Sequence, residues 1–325
     1  MASGSSVTSS GMTTMTQTVT GDIIDDLDFN NARANVQKLM GDAQDATLSG
    51  GGAFTYSGAY GWGQGGAGVN TNSAGNTVLA SGSSRGFKDL QDDVQAMCAF
   101  LGVSLRTGVG SDVGTSTIIT ASTWANLMLN IKDCWDARFS PAGGTISTDA
   151  SKTFTSSWTN TLTQETSWTW TNENDCRRFF NGGGTVGYSG SYTGSSGAQF
   201  TAHASRLSGM ADMQLSYSTS LASAGSASGI GFYELATSYQ DLWTYYGASS
   251  PYSNDYIKIQ GKVNSTTNPT SVTLKAILVD ATDNVIDAAA TGTLTLNARR
   301  RQPNASGSGF SFAAPVDSMG NITGS

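Results

Sequence analysis

Charge is scarce in this chain. Only 13% of its 325 residues are Asp, Glu, Lys or Arg, about half the share usual in a globular domain. Histidine is scarcer still: His203 is the one imidazole from which a Ser-His-Asp or Cys-His arrangement could be built, and it sits between Ala202 and Ala204 on a predicted helix, where a lone histidine is a structural residue. Glutamate occurs three times, as Glu165, Glu173 and Glu234, so a carboxylate pair for glycoside hydrolysis would have few residues to draw on. The three cysteines, Cys98, Cys134 and Cys176, are odd in number with no close pair, which excludes a disulfide framework and fits folding in a reducing cytoplasm. With no C-x-x-C or H-E-x-x-H spacing, no zinc pattern is legible either. No catalytic, cofactor-binding or metal-binding residue is assigned from the sequence.

Other absences bear on location and partners. No run of about 18 apolar residues occurs, and Met1 to Thr8 carry neither a basic nor an apolar signal region; a soluble chain with no secretory signal and no membrane span is expected. The formal charge of −7 and pI near 4.6 argue against direct nucleic-acid binding, which draws on clustered Lys and Arg. The one basic run, Arg299 to Arg301, is short and reads as a solvated strand end or subunit contact in preference to a phosphate site. Asn264, Asn304 and Asn321 begin Asn-x-Ser/Thr triplets, but a Ser/Thr-rich chain makes such triplets by chance.

What is present is apolar material enough for a core: 38% hydrophobic residues, with seven Trp, eleven Tyr and twelve Phe, too many rings for a disordered chain. Residues 1–20 are nearly all Ser, Thr, Gly and Met, with Val7, Met12, Met15 and Val19 scattered among them, and read as a flexible arm, either disordered or ordered only by a neighbouring subunit. A helical unit is expected over 21–140. Asp22, Asp25, Asp26 and Asp28 lead into a helix with Phe29, Ala32, Val36, Leu39 and Met40 on one face, an acidic start that suits its dipole better than a calcium loop. Phe87, Leu90, Val94, Met97, Cys98 and Leu101 give a second helix ending at Gly102. Trp124, Leu127, Met128, Ile131, Cys134 and Trp135 give a third, stopping before Pro141. Between the first two, 50–86 reads as a Gly/aromatic loop. Its Gly61-x-Gly63-x-x-Gly66 lacks the flanking strand and helix of a dinucleotide site.

Past Pro141 the period changes to two. Trp158, Trp168 and Trp170 alternate with hydroxyls, as in half-buried strands. Asn174 to Asn181 interrupt the strands, with Arg177 and Arg178 read as one arginine lying over Phe179 or Phe180 and one in solvent, in preference to a pair that locks a sheet edge or meets an acidic neighbour. A fourth helix is expected from about Ala198 to Met213. Gln240–Tyr246, Tyr256–Val263, Ser271–Asp280 and Thr291–Ala298 complete a β-sandwich-like unit over 141–305. Residues 306–325 read as a second extended tail. The fold class is thus α+β and β-rich, a helical unit followed by antiparallel sheets.

Three segments carry a resemblance: Gly61 to Gln64 after a Tyr-rich glycine stretch, Ile118 to Leu127, and Asp175 to Gly184 with its Arg-Arg-Phe-Phe-Asn-Gly-Gly-Gly run. Tyr252 to Ile259 and Thr291 to Thr295 add to it. Together they resemble virion structural proteins of tailed bacteriophages, particularly marine and cyanobacterial ones, over roughly residues 22–305. The resemblance implies a non-enzymatic component of a tail, neck or collar, or fibre, located in the virion and assembled in the host cytoplasm. Its partners would be copies of itself and other virion proteins, and it transfers no catalytic residue. Two other readings follow from the residues. One is a binder of host-surface glycans through Trp62, Tyr188 and Tyr245; the other is a polysaccharide depolymerase with Glu165 and Glu173 flanking an aromatic surface.

Overall fold

In the computed structural model the chain is described over residues 5–9, 12–16, 26–40, 87–111, 119–137, 143–194, 198–246, 252–281, 291–303 and 312–324. The 50–86 segment with Trp62 and its three glycines, Asp22, Asp25 and Asn304 lie outside these residues. Two compact units result. One contains residues 1–143 and 303–312, the other 144–302 and 313–325.

The first unit is built from the periodicity of its helices, α1 (Asp26–Met40), α2 (Phe87–Leu101) and α3 (Ala121–Ala137). The apolar residues spaced three or four apart are the ones buried: Phe29, Ala32, Val36 and Leu39; Phe87, Leu90, Val94, Met97 and Cys98; Trp124, Leu127, Ile131 and Cys134. Each stripe needs the other two, because a single amphipathic helix cannot cover its own apolar face. Trp124 sits at the junction, its ring 6.3 Å from Phe29 and 5.9 Å from Phe87. Gly102, at φ +69°, takes the left-handed position that ends α2, and the N–H of Val103 returns to the Cys98 carbonyl at 2.9 Å. The loop that follows is held by buried amides. Gln91 donates to the carbonyls of Val109 (2.7 Å) and Ser111 (2.9 Å), and Asn130 donates to Ser104 O while accepting from Arg106 N, both at 3.0 Å.

The flexible-arm expectation for 1–20 is corrected over the described part of that stretch. Strands β1 (Ser6–Val7) and β2 (Met15–Thr16) pair antiparallel with Val7 opposite Met15, and Val7, Met12 and Met15 are buried in the helical core. Asn35 on α1 clamps the hairpin, accepting from Thr13 N and donating to Thr13 O, both at 2.8 Å. Val7, Met12 and Met15 share the core of the three helices, so the described part of this stretch is ordered by its own chain and does not have to supply a core alone.

The second unit contains β3 (Gly143–Phe154), β4 (Asn160–Thr169), α4 (Glu173–Asn181), β5 (Thr185–Thr193), α5 (Ala198–Met210), β6 (Met213–Leu215), β7 (Ser220–Leu221), β8 (Ser226–Ala227), β9 (Gln240–Tyr246), β10 (Tyr256–Val263), β11 (Ser271–Asp280), β12 (Thr293–Pro303), β13 (Val316–Met319) and β14 (Thr323–Gly324). One sheet runs β13-β4-β11-β10-β9-β8, with β14 also on β4; the other runs β3-β12-β5-β6-β7. The fold is α+β and β-rich, with antiparallel sheets sharing one core. Alternation decides the inward face: Leu162, Gln164, Thr166 and Trp168 of β4 are buried, as are Val272, Leu274, Ala276 and Leu278 of β11. Across the core Trp168 meets Tyr188 edge-on at 6.3 Å. The Tyr188 hydroxyl lies 3.1 Å from Leu274 O and 2.9 Å from Thr166 Oγ1, so this buried phenol is satisfied by the opposite sheet.

Two further expectations change here. The segment from Asn174 is a helix, α4, capped by Asn172, whose Oδ1 accepts from Asp175 N at 2.9 Å. Residues 313–324, expected in an extended tail, instead complete the larger sheet. Val316 to Met319 pair with Thr169 to Thr166, Thr323 pairs with Thr163, and Ile322 enters the core. The fourth predicted strand extends past Ala298 to Pro303. Its arginines find partners along the way: Arg299 donates to Asp212 (2.7 Å) and to Thr148, and Arg300 pairs with Asp149 at 3.1 Å and donates to Pro315 O at 3.0 Å.

Candidate functional site

The densest group of ionisable residues in the described chain lies where α5 covers one end of the β10–β11 hairpin. His203 and Arg206 are three apart on α5 and therefore share a face. Antiparallel pairing of Tyr256 with Val279 sets Asp255, just before β10, beside Asp280 at the end of β11. All four are buried. Donor atoms of His203, Asp255 and Asp280 lie within 4.8 Å of one another, the kind of grouping that can hold a metal ion.

Arg206 decides what this grouping is. Its guanidinium donates to Tyr252 O at 2.6 Å, lies 3.8 Å from Asp255 Oδ2, and meets His203 Nδ1 at 3.2 Å. A guanidinium can only donate, so Nδ1 is the ring's acceptor and the proton sits on Nε2, which faces Asp255 Oδ2 at 3.9 Å. A metal at Nε2 would need the opposite tautomer, with an N–H aimed at the arginine. The positive charge between the carboxylates is thus supplied by the protein itself. Burial first, and then Arg206, hold the His203 pKa down to about 4 against the opposing pull of Asp255. The imidazole is neutral near pH 7, with the Trp158 ring 5.1 Å away. Among the described residues its ring is hydrogen-bonded to Arg206 alone, with neither a hydroxyl nor a thiol in place to be activated. The arrangement fastens α5 to the hairpin end, with Asp255 Oδ1 also accepting Ala281 N at 2.9 Å.

Glu165 and Glu173 occupy separate ion pairs. Glu165, on the outward face of β4, pairs with Lys275 at 3.1 Å; burial pushes its carboxyl up, but hydrogen bonds from Lys275 and Tyr239 outweigh this and lower it. A lowered carboxyl is not poised as a general acid. Glu173 faces Arg177 one turn along α4 at 3.6 Å. Tyr188 is fully buried, and Tyr245 packs against the core. Neither is displayed for stacking on a sugar, and Trp62 lies outside the described residues. The ring that is displayed is Tyr246, 56% exposed and 5.3 Å from Tyr256.

Arg177 and Arg178 are both buried, so neither is the solvated arginine expected. Arg177 donates to the Thr267 carbonyl in the β10–β11 turn and ties α4 to it. Sequence reasoning reached His203 but missed Arg206, Asp255 and Asp280. The i, i+3 spacing of His203 and Arg206 was the available signal; the carboxylates are joined to them by strand register alone. No helix among the described residues is long and apolar enough to cross a membrane. No family model, curated protein or solved structure matches the chain.

Proposed function

We propose that this protein is a non-enzymatic structural component of a tailed-phage virion, of the tail, neck or fibre, that works by symmetric association of its copies. The observation that carries this reading is the edge strand β3. Three sheet edges in the second unit end in strands of two to four residues, β7, β8 and β13 with β14. Such short strands give a neighbouring chain little to pair with. The fourth edge is β3, twelve residues long. Among the described residues only β12 pairs with it. It contains no proline, and Thr145, Ser147, Thr148, Ser151 and Thr153 are exposed. Asp149, one of its two charged residues, is turned inward to Arg300 and to the indole N–H of Trp168. Lys152 alone is left as a charge to repel an added strand. A second copy laid alongside would set hydroxyl against hydroxyl, a favourable cross-strand pairing. The low charge of the whole chain and its resemblance to virion proteins support the same reading.

The test is sedimentation of the full-length protein over a range of concentrations, beside its incorporation into particles. Wild type should associate. Thr145→Lys with Thr153→Lys should shift it toward monomer and weaken incorporation while melting within a few degrees of wild type, since exposed substitutions change stability by about 0.5 kcal/mol or less. A protein that stays monomeric at every concentration and is absent from particles would overturn the proposal. The exposed Tyr246 beside Tyr256 favours glycan binding as a second reading. Loss of micromolar glycan binding in Tyr246→Ala would support it.

A further inference from the structure

Cys98 on α2 and Cys134 on α3 project toward each other across the helix interface, with their sulfur atoms 3.4 Å apart. Both are fully enclosed in the core of the first unit. Thirty-six residues separate them along the chain, so sequence spacing gave no hint of the pair. A disulfide needs about 2.05 Å between sulfurs, and little more than an ångström of closure, divided between two side chains, separates this contact from a bond. A shared metal ion is the less suited occupant: among the described residues no histidine or carboxylate joins the two sulfurs in a metal-holding group, and two thiolates alone fall short of the four ligands of a structural zinc site. Cys176, in the other unit, is buried by itself and serves as an internal control.

We propose that Cys98 and Cys134 form a latent disulfide: dithiol as the chain folds in a reducing compartment, and closed by a small peroxide-class oxidant once it leaves. The inference stands on the two sulfurs alone and does not depend on the virion reading. Either sulfur can attack first with the same product, and the balance is the same in both orders; with Cys98 first it runs through that sulfur. As Cys98 loses its proton, its sulfur bonds to one oxygen of hydrogen peroxide, the O–O bond breaks, and the departing hydroxide leaves as water with that proton. Cys98 is then a sulfenic acid. The Cys134 sulfur next displaces this hydroxyl: the S–S bond forms, the S–O bond breaks, and the hydroxide takes the Cys134 proton to give a second water. Two thiols and one peroxide become one disulfide and two waters, the sulfurs losing the two electrons that the peroxide gains. Enclosure makes the reaction slow and restricts it to oxidants small enough to enter a briefly opened helix pair.

The product fastens α2 to α3 and closes the loop between them, which constrains the unfolded chain. The test uses the full-length protein, reduced, freed of reductant and exposed to a series of hydrogen peroxide concentrations. It is then denatured, alkylated and mapped by mass spectrometry. The expected result is a Cys98–Cys134 linked peptide, loss of two thiols per chain, Cys176 recovered alkylated, and a melting midpoint raised by several degrees that reverts with reductant. Cys176→Ser should behave identically, whereas Cys134→Ser should show no rise. Because a serine in that core can itself impair folding, the linked peptide in wild type and in Cys176→Ser is the deciding readout. Recovery of Cys98 and Cys134 as thiols at every peroxide concentration, their conversion to sulfinic or sulfonic acids without a link, or a link through Cys176 would each overturn the proposal.

Discussion

Leu127 is buried in the core that the three helices share. Leu127→Ala should therefore cost about 2–5 kcal/mol of unfolding free energy, measured by urea titration. An unchanged midpoint would mean that the α3 stripe does not face the core. At His203 the expected effect is on pH dependence. Its pKa falls from 6.5 to about 4 on folding, so the unfolded chain takes up the proton first as pH drops. The contribution is whole above about pH 6.5 and is lost progressively toward pH 4, amounting to about 3 kcal/mol. His203→Gln should flatten that part of the stability profile in denaturant melts at successive pH values. An identical slope in the variant would show that the imidazole is not the titrating group. At this scale the sequence was informative wherever one residue's neighbours in the chain set its environment. Leu127 lies on a stripe that can be counted off, whereas around His203 only Arg206 is a neighbour in the chain, and Asp255 and Asp280 arrive from the β10–β11 hairpin by strand register.

Among the elements, the N-terminal hairpin changes what truncation should do. With Val7, Met12 and Met15 in the core and Asn35 bonded to both backbone groups of Thr13, deleting residues 2–16 should lower the melting temperature of the chain markedly. Asn35→Ala alone should cost about 1 kcal/mol, because it leaves the two part-buried backbone groups of Thr13 without their side-chain partner. Calorimetry on both variants checks this; equal melting of the deletion and the wild type would return the hairpin to the status of an appendage. Helices α1 to α3 and strands β9 to β12 were legible because each repeats a period over seven or more residues. The hairpin and β13 were not, since two to four residues carry no period and their pairing is fixed by surfaces formed elsewhere. Helix α4 was legible in principle. Asn172 followed by Glu173 and Asp175 is a capping signal, obscured by the Gly-rich run after it.

For the whole molecule, the α+β fold could be read from the change in period near Pro141, but the packing of Phe312 against the core of the helical unit could not, since an aromatic in a polar stretch carries no period. On the proposed reading, assembly should respond to the β3 edge and little to salt. With few charges on the strand, association measured by sedimentation should change by less than about threefold between 50 and 500 mM salt, unlike contacts steered by ion pairs. A steep salt dependence would point to a different interface.

The pairing of β4 with residues 316–324 also has a consequence in time. Gln164 and Gly320, which meet in the finished sheet, are 156 residues apart, and at about 5–20 residues per second the later segment leaves the ribosome some 10–30 s after the earlier one. Throughout that interval β4 has one side without its strand. Neighbouring nascent chains can offer their own Val316 to Met319 before the correct segment emerges. Exchange of this segment between copies is thus a hazard of synthesis, one that slower expression or lower temperature should relieve.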